Sequence, residues 1–175
     1  MSEVTTSRHF THSILKNLQQ YDVPGDGTCL IHSFLFLTDA KYRALETAEE
    51  RERVGVEYRK NLAHTLLDIL RAPKKNQYQK EITSYLNTDI APTLTKESFP
   101  ENLPNDVEYT IENYITYVIA DPVVYLGDVE INLLERVKPV LFVILQNTSD
   151  KPPFFIRQQI KHSAKQKDII LVNYI

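Results

Sequence analysis

Apolar residues recur at three- and four-residue steps along much of the chain, and that spacing predicts helices. Near the N-terminus Ile14, Leu15 and Leu18 predict a short one, followed by Tyr21 to Val23 as an extended entry to a turn. Leu30, Ile31, Phe34, Leu35 and Leu37 then read as a buried helix. From Ala48 onward Val54, Tyr58, Leu62, Leu66, Ile69 and Leu70 form the apolar stripe of a long amphipathic helix that ends at Ala72-Pro73. Its other face carries Glu49, Glu50, Arg51, Glu52, Arg53, Glu57, Arg59 and Lys60, a mixed run that reads as a solvated face with i,i+4 pairs. Tyr78 to Leu86 predicts another short helix, and Val107, Ile111, Tyr114, Ile115 and Val118 one that stops at Asp121-Pro122. Gly127 opens a further helix, with acidic residues in its first turn and Ile131, Leu134 and Val137 on its apolar face.

The pattern changes at Pro139. Val140 to Leu145 is almost continuously apolar and β-branched, the signature of a strand buried on both faces. Phe154 to Ile156 reads as a second, shorter strand and Asp168 to Ile175 as a third. Thr38 to Thr47 is a polar connection, and Asn87 to Asp106 is a proline-punctuated polar loop of a length that often covers a site. With helices first and strands after, the expected class is α+β, a small central β-sheet flanked by helical lobes, in one domain spanning residues 1–175.

Composition narrows the compartment and the partners. The single cysteine among 175 residues excludes an internal disulfide. There is no N-terminal apolar leader and no apolar run of about eighteen residues, so the expectation is a cytoplasmic chain with no membrane partner. A net charge of −3 gives no global signal for nucleic acid. The five Lys and Arg between Lys151 and Lys167, with no acidic residue among them, are few against the salt dependence of phosphate binding. His9 and His12 lie three apart without a third ligand nearby, so they read as exposed or capping residues and no metal is expected. His64, among surface charges, reads as structural.

Candidate chemistry concentrates in Val23-Pro24-Gly25-Asp26-Gly27-Thr28-Cys29-Leu30-Ile31-His32-Ser33-Phe34. Pro24 fixes one backbone angle, and Gly25 and Gly27 permit the positive-φ geometry that turns consecutive N–H groups into an anion-binding nest. Cys29 falls in the first turn of the following helix, where unpaired N–H groups and the positive helix end favour a thiolate. A cysteine that only fills a core gains nothing from such a nest, and Cys29 is therefore the candidate nucleophile.

These residues, Gly25-Asp26-Gly27-Thr28-Cys29-Leu30 with Ser33-Phe34, resemble the Asp-Gly-x-Cys-Leu/Phe nucleophile motif of the OTU (ovarian tumour) family of cysteine deubiquitinases. A second stretch, Tyr125-Leu126-Gly127-Asp128-Val129-Glu130-Ile131-Asn132-Leu133-Leu134, resembles that family's Trp-Gly-Gly-x-x-Glu-Leu-x-Ala-Leu segment. Gly127, Glu130, Ile131 and Leu134 are in register, whereas Tyr125 replaces the tryptophan and Leu126 a glycine. The resemblance spans about Tyr21 to Ile175 and implies an OTU-like cysteine protease fold with the cysteine helix packed on the sheet. It implies that Cys29 attacks the isopeptide carbonyl at the C-terminus of ubiquitin or a ubiquitin-like modifier, and that backbone around Asp26 and Gly27 forms the oxyanion hole. Its partners are then ubiquitin and ubiquitinated proteins, with no cofactor and a monomeric enzyme. The divergence from the family pattern leans towards a viral source, acting in the host cytoplasm.

The family histidine follows the last strand, with an aromatic and an Asp or Asn beside it, and the chain stops at Ile175 before any such residue. His32, three residues beyond Cys29, reads as a helix-packing residue, and His162 lies in a basic loop before the last strand, so neither is assigned as the base. The expectation is a domain truncated just before its catalytic histidine. The alternative is an inactive OTU-like module that binds ubiquitin without cleaving it, and a third reading is a purely structural domain.

Overall fold

The computed structural model describes residues 23, 25–104, 106–138, 140–146, 155–156 and 168–174, with side chains described up to residue 138. The expected N-terminal helix, the extended entry before Val23, and His9, His12, His162 and most of the basic stretch lie outside these residues.

Helix α1 (Cys29–Thr38) follows the glycine-containing turn, and a short α2 (Ala40–Arg43) is capped by Asp39, whose side chain accepts from the N–H groups of Lys41 and Tyr42. Helix α3 (Ala48–Arg71) starts with a capping box: Thr47 Oγ1 accepts from the Glu50 N–H at 3.1 Å, and Glu50 Oε2 accepts from the Thr47 N–H at 3.2 Å. Asn76 and Gln79 repeat the device at α4 (Gln77–Tyr85). Helix α4 runs on through a π-helical turn, Leu86–Ile90, and α5 (Ile111–Tyr114) continues in the same way through Ile115–Ile119. Helix α6 (Asp128–Val137) begins where Glu130 Oε2 accepts from the Gly127 N–H at 2.6 Å.

The described core is made by these helices packing on one another. Ile31, Leu66, Ile82, Leu86, Ile90, Ile115, Ile119, Leu133 and Leu134 are all under 2 % exposed, and each lies on a helix or its π-helical continuation. This corrects the expected fold class. The body of the chain, residues 25–138, contains no strand among its described residues, and the protein is predominantly helical rather than an α+β fold of OTU-like protease type organised around a central sheet. The physical reason is that stripes on α1, α3, α4, α5 and α6 cover one another, so helix-on-helix layers already close a core. Strand geometry begins only after that body, in β1 (Val140–Gln146), β2 (Phe155–Ile156) and β3 (Asp168–Tyr174). Their backbones pair in the order β2-β1-β3, with β1 antiparallel to β2 and parallel to β3 from Val140 opposite Asp168 to Gln146 opposite Tyr174.

Three further readings change. The Thr38 to Thr47 connection holds α2, which buries Tyr42 at 2 % exposure. The Asn87 to Asp106 loop contains helical turns at Ala91–Thr93 and Lys96–Ser98 and buries Ile90 and Phe99. Arg59, read as part of a solvated face, is completely buried, because the stripe of α3 passes through Gly55 and Arg59 before it reaches Leu62, Leu66 and Ile69. No helix among the described residues is long and apolar enough to cross a membrane.

Candidate active site

The turn before α1 is held from both sides. Asp26 supports it from within: its carbonyl accepts from the Cys29 N–H at 3.1 Å and its Oδ1 from the Thr28 N–H at 2.8 Å. Thr28 Oγ1 donates to the Pro122 carbonyl at 3.2 Å, and Tyr125 Oη donates to the Gly25 carbonyl at 2.8 Å. The two segments lie so close that a Cβ on Gly27 would come within 2.5 Å of the Pro122 oxygen and the Val123 backbone. Glycine is required there for space. Neither Gly25 nor Gly27 has a positive φ, so the positive-φ nest expected from the sequence is replaced by a turn closed through the Asp26 side chain.

Arg59 locks this arrangement from below. Its Nη1 donates to the Gly27 carbonyl at 2.7 Å and to the Val124 carbonyl at 2.9 Å, its Nη2 to Val118 at 2.7 Å, and its Nε to Ile119 at 2.8 Å. The Val118 and Ile119 carbonyls end the helical run from Ile111, where a cation also meets the negative end of the helix. Burial lowers the Arg59 pKa to about 10, against the favourable fields of Asp121, Glu130 and Asp26, so the guanidinium stays charged at neutral pH. Sequence reasoning missed this residue because a charge on an amphipathic helix is normally solvated. Its place in line with Gly55, Leu62 and Leu66 was the available signal.

Cys29 is half-buried at the start of α1, and its carbonyl accepts from Ser33 Oγ at 2.9 Å. Burial pushes the thiol pKa above its ordinary value; the N–H groups of Leu30 and of Cys29 itself act against this, the Asp26 carboxylate adds to it, and Arg59 opposes it. The helix start thus favours the thiolate as expected, but desolvation outweighs it and Cys29 rests as a thiol. At Asp26 and Gly27, the expected oxyanion-hole positions, the Asp26 carbonyl accepts from the Cys29 N–H and the Gly27 carbonyl from Arg59, contacts made by the carbonyls and not by the N–H groups of these two residues.

No described histidine is hydrogen-bonded to this thiol. His32 is completely buried, with Nδ1 at 2.6 Å from Tyr42 Oη and Nε2 at 3.5 Å from Asp26 Oδ2, and burial lowers its pKa. His64 is exposed on α3. No cluster of His, Cys, Asp and Glu able to hold a metal occurs among the described residues. Beside the turn Val123 and Tyr125 stand exposed, at 78 % and 63 %. Tyr125 also borders a groove of about 310 Å³ lined by Ile90, Leu94, Phe99, Tyr114 and the buried Glu130. Glu130 accepts from the Tyr114 hydroxyl as well as from the Gly127 N–H, and burial raises its pKa.

Comparison of the chain with protein-family models, with curated proteins and with solved structures found no match.

Proposed function

We propose that the protein is a cysteine-dependent isopeptidase that removes ubiquitin or a ubiquitin-like modifier from proteins, with Cys29 as nucleophile. One observation carries this reading. The two stretches that resemble the OTU motifs lie about a hundred residues apart in the chain, yet they meet at the turn before Cys29: Tyr125 bonds Gly25, and Arg59 holds the carbonyls of Gly27 and of Val124, next to Tyr125, together. A cysteine kept only for packing needs no such alignment of a second segment at its own turn.

In the proposed reaction the Cys29 sulfur bonds to the carbonyl carbon of the isopeptide. The C–N bond breaks, the amine leaves with a proton, and water then hydrolyses the thioester to a carboxylate and the free thiol. Backbone donors at the turn, around Asp26 and Gly27 in the resemblance, stabilise the oxyanion. Because burial holds Cys29 as a thiol, the reaction needs a base to take its proton.

The same raised thiol favours a second reading, an inactive module that binds ubiquitin without cleaving it. Incubation of the full chain with ubiquitin bearing a C-terminal electrophile separates the two. An isopeptidase gives a covalent adduct that Cys29→Ala abolishes. A binding module gives no adduct but retains ubiquitin equally with and without the thiol. A folded chain that neither forms the adduct nor binds ubiquitin excludes both.

A further inference from the structure

The buried polar chain behind the nucleophile turn has one consistent proton arrangement. Tyr42 is 2 % exposed and burial pushes its pKa up to about 12, so its hydroxyl remains protonated, able to donate or to accept. The Asp26 carboxylate facing Nε2 favours the neutral-imidazole proton there, so at the 2.6 Å contact His32 Nδ1 accepts from the Tyr42 O–H. Nε2 lies 3.5 Å from Asp26 Oδ2, longer than a normal hydrogen bond, and has no hydrogen-bond partner among the described residues. The opposite tautomer would set a ring lone pair against a carboxylate. The ring has its place because α3 carries Gly55 against it, where any side chain would collide with His32. Glu52 is the other acidic group whose field reaches His32, and Arg51 is the cation near Tyr42.

Asp26 stands between this pair and the thiol: Oδ1 fixes the Thr28 N–H, and its charge works against the Cys29 thiolate. We infer that His32 and Tyr42 are positioning residues for Cys29, with the Tyr42 hydroxyl holding the ring at Nδ1 so that its Nε2–H offsets the charge of Asp26 beside the nucleophile. The inference rests on Cys29 as the nucleophile of the proposed reaction, but its consequences can be read without ubiquitin, since Cys29 is the only thiol in the chain.

The test uses two substitutions that split the imidazole into its halves. His32→Asn retains an acceptor near the Nδ1 position for Tyr42 and loses the donor facing Asp26, whereas His32→Gln keeps an amide N–H near the Nε2 position. Alkylation of the full chain by iodoacetamide, followed by mass spectrometry at neutral pH, is expected to slow about threefold in His32→Asn, half a pKa unit on the thiol. It should stay near the wild-type rate in His32→Gln. In an Asp26→Asn background, which itself reacts faster, His32→Asn is expected to have no further effect. A residue with only a packing role predicts equal rates for the two His32 variants, and that result overturns the inference. Long-range ¹⁵N–¹H NMR on the wild-type protein provides a test that no folding defect can blur: an Nε2–H tautomer is expected, and an Nδ1–H tautomer refutes the relay. Loss of ubiquitin labelling with these signatures intact would instead count against the proposed function.

Discussion

Arg59→Met tests whether one buried cation holds the turn before Cys29 to the segment containing Tyr125. The substitution removes donors to four carbonyls, those of Gly27, Val118, Ile119 and Val124, while a similar volume stays filled. Each buried carbonyl left without a donor costs about 1–3 kcal/mol, and the desolvation penalty of the guanidinium is recovered in part. The net loss is about 4 kcal/mol, a large fraction of the roughly 5–15 kcal/mol that stabilises a domain. At about 2–4 °C per kcal/mol for a chain of this size, the melting temperature should fall by about 8–16 °C. Arg59→Lys keeps the charge but has one nitrogen that cannot span four carbonyls, and about half of that loss is expected. Urea unfolding followed by circular dichroism measures both variants against the wild type. A methionine variant within about 1 kcal/mol of wild type would refute the clamp, because four desolvated carbonyls cannot lose their donors at so small a cost.

Three more predictions follow from the same site. Gly27→Ala should cost about 1–3 kcal/mol, because its Cβ meets the Pro122 and Val123 backbone, whereas Gly25→Ala, with open space and no positive φ, should be near neutral; equal urea midpoints for the two would contradict the packing. Cys29 in the folded chain should react with iodoacetamide at pH 7 more slowly than cysteine in an unstructured peptide, since burial raises its pKa; a faster reaction would show that the helix start or an outside base outweighs desolvation. The raised pKa of Glu130 means that the folded state keeps its proton longer than the unfolded state. Its contribution is therefore fully present below the ordinary carboxylate value and lost as pH rises through the raised one. Glu130→Gln should lack that slope and match or exceed wild-type stability at pH 7, and parallel stability profiles between pH 4 and pH 7 would rule this out.

Residues of the wrong chemical type separate what the apolar pattern reveals from what it hides. Helices α1, α3, α4 and α6 were readable because apolar residues recur at helical spacing on their buried faces. Arg59 and Gly55 lie on the buried stripe of α3 but carry no hydrophobic signal, so the residue that ties the Cys29 turn to Val124 looked like one more surface charge. Tyr42 was hidden in a connection too short to show a period. The fold class failed for a related reason: β-branched runs after Pro139 report local strand preference, whereas the location of the core depends on which surfaces cover one another, and here helices cover helices. At the site, position was legible and energetics were not. Cys29 does open α1, as its place after Asp26-Gly27-Thr28 predicts, but the balance between the helix end and burial depends on contacts with Pro122, Arg59 and Tyr125 that are remote in sequence. Those contacts place the thiol in a mixed field: burial and the Asp26 charge raise its pKa, and the N–H groups of the helix start and Arg59 oppose them.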